Sequence, residues 1–124
     1  MVCCTFGMFC KFHPQMYIRN EIVKIEGGKI VGENLENFFA FRGIPYAEPP
    51  IGDLRFASPK PYGQSWNGLR DSKNYSAVCA QYDHFGYIYE GSEDCLTLNV
   101  FVPKSVMYAT GKFPVIFFIH GMIQ

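Results

Sequence analysis

Neither sign of charge predominates: 11 basic and 11 acidic residues leave a formal net charge of zero. That balance gives no electrostatic footprint for a nucleic acid or an anionic membrane surface. No apolar run approaches the roughly 18–20 residues that a membrane-spanning helix requires. No Cys-x-x-Cys occurs among the five cysteines and three histidines, and no two Cys/His pairs stand at metal-site spacing, which argues against a metal site. The Gly-x-Ser-x-Gly pattern that exposes a nucleophilic serine at a strand-to-helix turn is also missing, so no serine here is a credible nucleophile. There is no internal repeat, low-complexity tract or linker, and the reading is one domain or part of one. The segment from Met1 to Cys10 is apolar. It has no basic side chain before it, is broken by Lys11 and is followed by no small-residue cleavage pattern, so it makes a poor signal peptide. Residues 1–18 read as an atypical or disordered leader. Cys3, Cys4 and Cys10, clustered without a partner motif, are weak grounds for palmitoylation.

What the chain has in plenty is aromatic surface, with 12 Phe and 8 Tyr making up most of a 17% aromatic content. So high a load in 124 residues suggests faces meant to be buried. Composition leaves two readings open: contact with further parts of a larger fold, or a small β-rich domain with a dense core. Glu21 to Glu26 alternates apolar and polar residues, as a half-buried strand does. Gly27-Gly28 is a hairpin turn signal, and Lys29 to Glu33 returns as a second strand. Phe38 to Arg42 forms a third, ended by Gly43. The start is antiparallel and not a βαβ repeat. The prolines between Pro45 and Pro61 forbid helix and central strand, which leaves an extended loop. Trp66 to Tyr75 reads as loop with one short strand. Leu96 to Val102 and Phe113 to Ile119 are the best strand candidates, the second covered on both faces because it is continuously apolar. Lys104 to Lys112 is a polar connection containing one helical turn.

The run Glu93-Asp94-Cys95-Leu96-Thr97-Leu98-Asn99-Val100-Phe101-Val102-Pro103 resembles a signature of the type-B carboxylesterase and lipase family, an α/β-hydrolase branch. Phe41-Arg42-Gly43-Ile44-Pro45-Tyr46-Ala47-Glu48-Pro49-Pro50, continuing to Phe56, is similar to the family's N-terminal block. Trp66, Arg70-Asp71, Tyr75 and Cys79-Ala80-Gln81 follow in the family's order. Several blocks in register are a far stronger signal than one short pattern. The chain is thus identified as insect-type carboxylesterase-like. The resemblance implies an α/β fold class: the N-terminal part of an α/β-hydrolase, with antiparallel hairpin strands and the first central-sheet strands, incomplete over these residues. Residues 19–124 would be a partial carboxylesterase domain.

By the same resemblance, Cys79 and Cys95 would form a disulfide, and Arg55 and Glu93 an internal salt bridge tying the loop base to the proline-rich segment. Asp94 would accept hydrogen bonds from nearby backbone. The bridge would place the protein in the secretory lumen or outside the cell. Tyr82, Phe85, Tyr87 and Tyr89 lie in a loop shorter than that of cholinesterases and without its tryptophan. A general carboxylesterase is therefore favoured, and the four aromatics read as a packed loop wall. His120-Gly121 stands where the family places His-Gly-Gly-Gly, so Gly121 is a partial oxyanion-hole candidate. Met122 and Ile123 depart from that pattern, which suggests that the last three residues are not its authentic continuation.

The resemblance implies no cofactor and a small-molecule carboxylic ester as substrate in the intact enzyme. The 124 residues alone would be inactive, and with apolar faces and strand edges uncovered they would aggregate or remain partly unfolded. The alternatives are a non-catalytic, adhesion-type member of the family or a truncated, non-functional product. Asn74-Tyr75-Ser76 is a formal N-glycosylation sequon, a pattern common enough by chance to favour secretion only faintly.

Overall fold

The computed structural model describes residues 21–83, 85–108, 110 and 112–119. Its strands begin with the predicted hairpin. β1 (Ile22–Ile25) pairs antiparallel with β2 (Gly28–Val31), setting Val23 opposite Ile30. The alternation of the sequence turns these two inward, where they are 6% and 2% exposed. The turn is centred one residue earlier than expected, on Glu26-Gly27, and Gly28 opens β2. Trp66 closes this end of the sheet. Its backbone N–H donates to the Gly27 carbonyl at 3.0 Å and its indole Nε1 to the Lys29 carbonyl at 2.7 Å.

After β3 (Glu33–Asn34) comes β4 (Phe38–Pro45), the centre of a second sheet. β5 (Leu69–Asp71) returns to lie parallel to β2 in the first sheet. The pair β6 (Gln81–Tyr82) and β7 (Tyr89–Glu90) forms a small hairpin of its own. β8 (Thr97–Pro103) runs antiparallel to β4 and completes the order β3-β4-β8. A short 3₁₀ helix, Lys104–Tyr108, follows as the helical turn expected there.

The core gathers Val23, Ile30, Phe39, Phe41 and Ile44, with Trp66, Leu98, Val100 and Val102 packed around them. Phe39, Ala40 and Phe41 are all buried, so β4 is covered on both faces. The two sheets are joined through the backbone of one residue. The Ser72 N–H donates to the Val31 carbonyl of β2 at 2.8 Å, and its carbonyl accepts from the Arg42 N–H of β4 at 2.7 Å.

Two expectations need correction. Gly43 does not end the third strand. It sits in a β-bulge between Phe41 and Ile44, at φ 65°, and its N–H donates to Asn99 Oδ1 at 3.0 Å. A side-chain acceptor thus replaces the ladder partner lost at the bulge, and the strand resumes as far as Pro45. Proline is tolerated there because a strand end needs no donor from it. The proline-rich stretch beyond is loop as expected, though it folds back on itself. The Glu48 N–H donates to the Lys60 carbonyl at 2.8 Å, and Gly52–Leu54 forms a 3₁₀ turn.

The second correction concerns Phe113 to Ile119, which form no strand. Ile116 is 79% and Ile119 66% exposed. An apolar run of this kind becomes a strand only when neighbours supply ladder partners and cover, and none of the described residues does so. The leader 1–18 lies outside the described residues.

Candidate functional site

The residues singled out in the sequence meet at the base of one loop. Cys79 and Cys95 are bonded, with Cα atoms 5.1 Å apart. Backbone hydrogen bonds reinforce the closure: the Ser92 N–H donates to the Val78 carbonyl at 2.9 Å, and the Ala80 N–H to the Ser92 carbonyl at 3.1 Å. Inside the loop, Asp83 Oδ1 accepts from the N–H groups of Tyr87 and Ile88 at 2.7 and 3.0 Å and shapes the turn between β6 and β7. Tyr82 and Tyr89 meet edge-to-face across the hairpin, with ring centroids 5.5 Å apart. The packed loop wall expected of the four aromatics is not what the described residues show. Tyr82, Phe85, Tyr87 and Tyr89 are all exposed, because a two-stranded ribbon has too little surface to bury them.

Arg55 Nε lies 2.5 Å from Glu93 Oε1, so the proline-rich segment is tied to the loop base. The pair is not internal, since its side chains are 56% and 40% exposed. Solvent screening limits such a pair to about 1 kcal/mol or less. Arg55→Ala is therefore expected to lower the stability of the full-length protein by less than about 1 kcal/mol, with a smaller loss in high salt. Denaturant titrations at two ionic strengths check this. A loss above about 3 kcal/mol would mean that the pair is desolvated in the complete protein.

Asp94 departs from its expected role. No hydrogen bond to its carboxylate is found among the described residues, and its own N–H donates to Ser92 Oγ at 3.1 Å. It borders an open cleft of about 510 Å³, together with Pro45, Tyr62, Arg70, Ser76 and Thr97. The cleft offers hydroxyls, one guanidinium and one carboxylate. All three histidines of the chain lie outside the described residues, so no serine is seen beside a general base. Gly121 is likewise outside them. Among the described residues no group of His, Cys, Asp and Glu could hold a metal ion.

One cluster went unread in the sequence. Arg42 Nη1 donates to Glu33 Oε2 at 2.6 Å and to the Lys73 carbonyl at 2.5 Å, and its guanidinium lies 4.8 Å from the centre of the Tyr75 ring. Glu33 first, and Tyr75 after it, hold the guanidinium in its charged form and raise its proton affinity against a smaller cost of desolvation. Arg42 Nε and Ser72 Oγ are buried with no hydrogen-bond partner among the described residues. The available signal was a lone arginine inside an otherwise apolar, aromatic strand, which must find an anion or an aromatic face to stay there.

Comparison with known proteins agrees with the resemblance drawn from the sequence. The chain belongs to the carboxylesterase family, whose model matches residues 19–123. It is 39% identical to Esterase-5B of Drosophila miranda over 104 residues, which is 82% of this chain and 19% of that protein. To Esterase-5A of Drosophila persimilis it is 38% identical over 103 residues, 81% of this chain and 18% of that protein. Among solved structures, a PNB esterase shares 36% identity at a TM-score of 0.60, over 67% of this chain and 18% of that one. The Geobacillus stearothermophilus carboxylesterase EST55 shares 33% at 0.57, over 66% of this chain and 16% of that one. The chain therefore spans less than a fifth of the length of each of these relatives.

Proposed function

We propose that the full-length protein carrying this segment is a serine hydrolase of small-molecule carboxylic esters. On this reading residues 19–124 serve as its N-terminal scaffold and not as its reacting groups. The observation that carries the proposal is the family match across residues 19–123, joined to the lack of a Gly-x-Ser-x-Gly elbow in these 124 residues. In such an enzyme a serine attacks the ester carbonyl, and a histidine takes its proton and returns it to the leaving alcohol. A carboxylate orients the imidazole, and backbone N–H groups stabilise the oxyanion. Gly121 would contribute to that hole. Losing one such donor costs about 10²- to 10³-fold in rate, and losing the nucleophile removes the covalent route.

The test uses a fluorophosphonate probe and a nitrophenyl ester on two samples, the full-length protein and the 124-residue chain alone. Full-length protein is expected to be labelled on a single serine and to turn over the ester, while the short chain does neither. Labelling of the short chain would overturn the scaffold reading. An unlabelled, inactive full-length protein would overturn the hydrolase reading and favour a non-catalytic family member.

A further inference from the structure

We propose that Asn74 is an N-linked glycan acceptor, a modification independent of whether the protein hydrolyses esters. The sequon Asn74-Tyr75-Ser76 has the required hydroxyl residue at the third position and no proline at the second. The structure adds what the pattern lacks. Asn74 lies in an exposed bend just after β5, and its carboxamide has no hydrogen-bond partner among the described residues. The backbone behind it is fixed: the Lys73 carbonyl accepts from Arg42 Nη1, and the Lys73 N–H donates to Asp71 Oδ1 at 2.9 Å. A glycan on Asn74 would therefore displace no side-chain hydrogen bond among the described residues. The Cys79–Cys95 bridge begins five positions further on, and disulfides form in the same compartment in which asparagine glycans are added. Two features with the same requirement thus stand side by side.

The donor required is a lipid-linked pyrophosphate oligosaccharide, acted on by a transferase of that compartment. Asn74 Nδ2 bonds to the anomeric carbon of the sugar, the bond from that carbon to the pyrophosphate oxygen breaks, and one Nδ2 proton is released. The fold also orders the events. A Cβ at Gly43 would lie 2.7 Å from Ser76 Oγ, so the serine hydroxyl is seated against the bulge, and Tyr75 is held by Arg42. The transferase has to reach that hydroxyl before the segment docks, so transfer precedes folding of this region.

Trypsin would release residues 74–104 as one peptide holding Asn74, Cys79 and Cys95, so a single species reports both features. The experiment is mass spectrometry of this peptide, unreduced, from the full-length protein after N-glycosidase treatment in heavy-oxygen water. The expected result is aspartate bearing heavy oxygen at position 74, together with an intact bridge. Asn74→Gln and Ser76→Ala should each remove the label, and the latter leaves the asparagine in place. Unmodified Asn74, or aspartate bearing ordinary oxygen, overturns the proposal. With the bridge present, the sequon is skipped in the right compartment; with the bridge absent, the chain never enters it.

Discussion

Replacing both Cys79 and Cys95 with serine is expected to destabilise the full-length protein by about 3 kcal/mol, the loop-closure value for 15 enclosed residues. The magnitude reflects a crosslink that restricts the unfolded chain more than the folded one. The folded loop would retain its other ties: the Ser92 hydrogen bonds to Val78 and Ala80, the Asp83 turn and the Tyr82–Tyr89 contact. The loss should therefore appear as a lower denaturant midpoint with the fold preserved. Urea unfolding of the double variant beside the parent measures it. A loss under about 1 kcal/mol would show that these hydrogen bonds also hold the loop closed in the unfolded ensemble, leaving little entropy for the crosslink to remove.

Gly32→Ala is expected to cost about 3 kcal/mol, at the upper end of what overpacking usually costs. Gly32 lies where the chain leaves β2 for β3, and its N–H donates to the Glu21 carbonyl at 2.7 Å. A Cβ there would stand 2.6 Å from the Ala40 carbonyl oxygen and equally close to the Phe41 ring. The ring could turn, at a cost to the core, but the carbonyl belongs to the middle of β4 and cannot yield without moving the sheet. The matched control is Gly63→Ala, whose Cβ would find only the Glu48 carboxylate at 3.7 Å, an ordinary contact. That change should stay within about 0.5 kcal/mol of the parent. Equal midpoints for the two variants would sink the packing argument.

The elements that were legible in the sequence are those set by local pattern. The β1–β2 hairpin follows from alternation and adjacent glycines, and β8 from the run Leu96 to Val102. The disulfide and the Arg55–Glu93 pair were legible through family resemblance alone, because nothing in a 16-residue separation by itself selects a partner. What stayed hidden depends on distant pairing. β5 joins β2 in parallel across roughly 40 intervening positions, and no periodicity encodes such a partner. Arg42 meets Glu33 only because the chain reverses between β3 and β4. The expected strand at Phe113 to Ile119 shows the same limit from the other side: its apolar character was plain, but strand formation belongs to the sheet and not to the segment. The groups that would carry out ester hydrolysis were not legible, since the elbow pattern does not occur in these residues.

The pairing of β4 with β8 has a consequence in time. β4 contributes Phe39, Ala40 and Phe41 to the core, yet its partner from Thr97 to Pro103 is made far later in the chain. At a synthesis rate of about 5–20 residues per second, the roughly 65 residues from Phe38 to Pro103 occupy the ribosome for about 3–13 s. Throughout that interval the most apolar strand of the segment has only the short β3 beside it. A hairpin such as β1–β2 closes in about 1–10 μs and offers no cover to the other side of β4. The nascent chain therefore carries the unpaired β8-side edge of β4 for several seconds, and its sheet is completed only when Thr97 to Pro103 emerge.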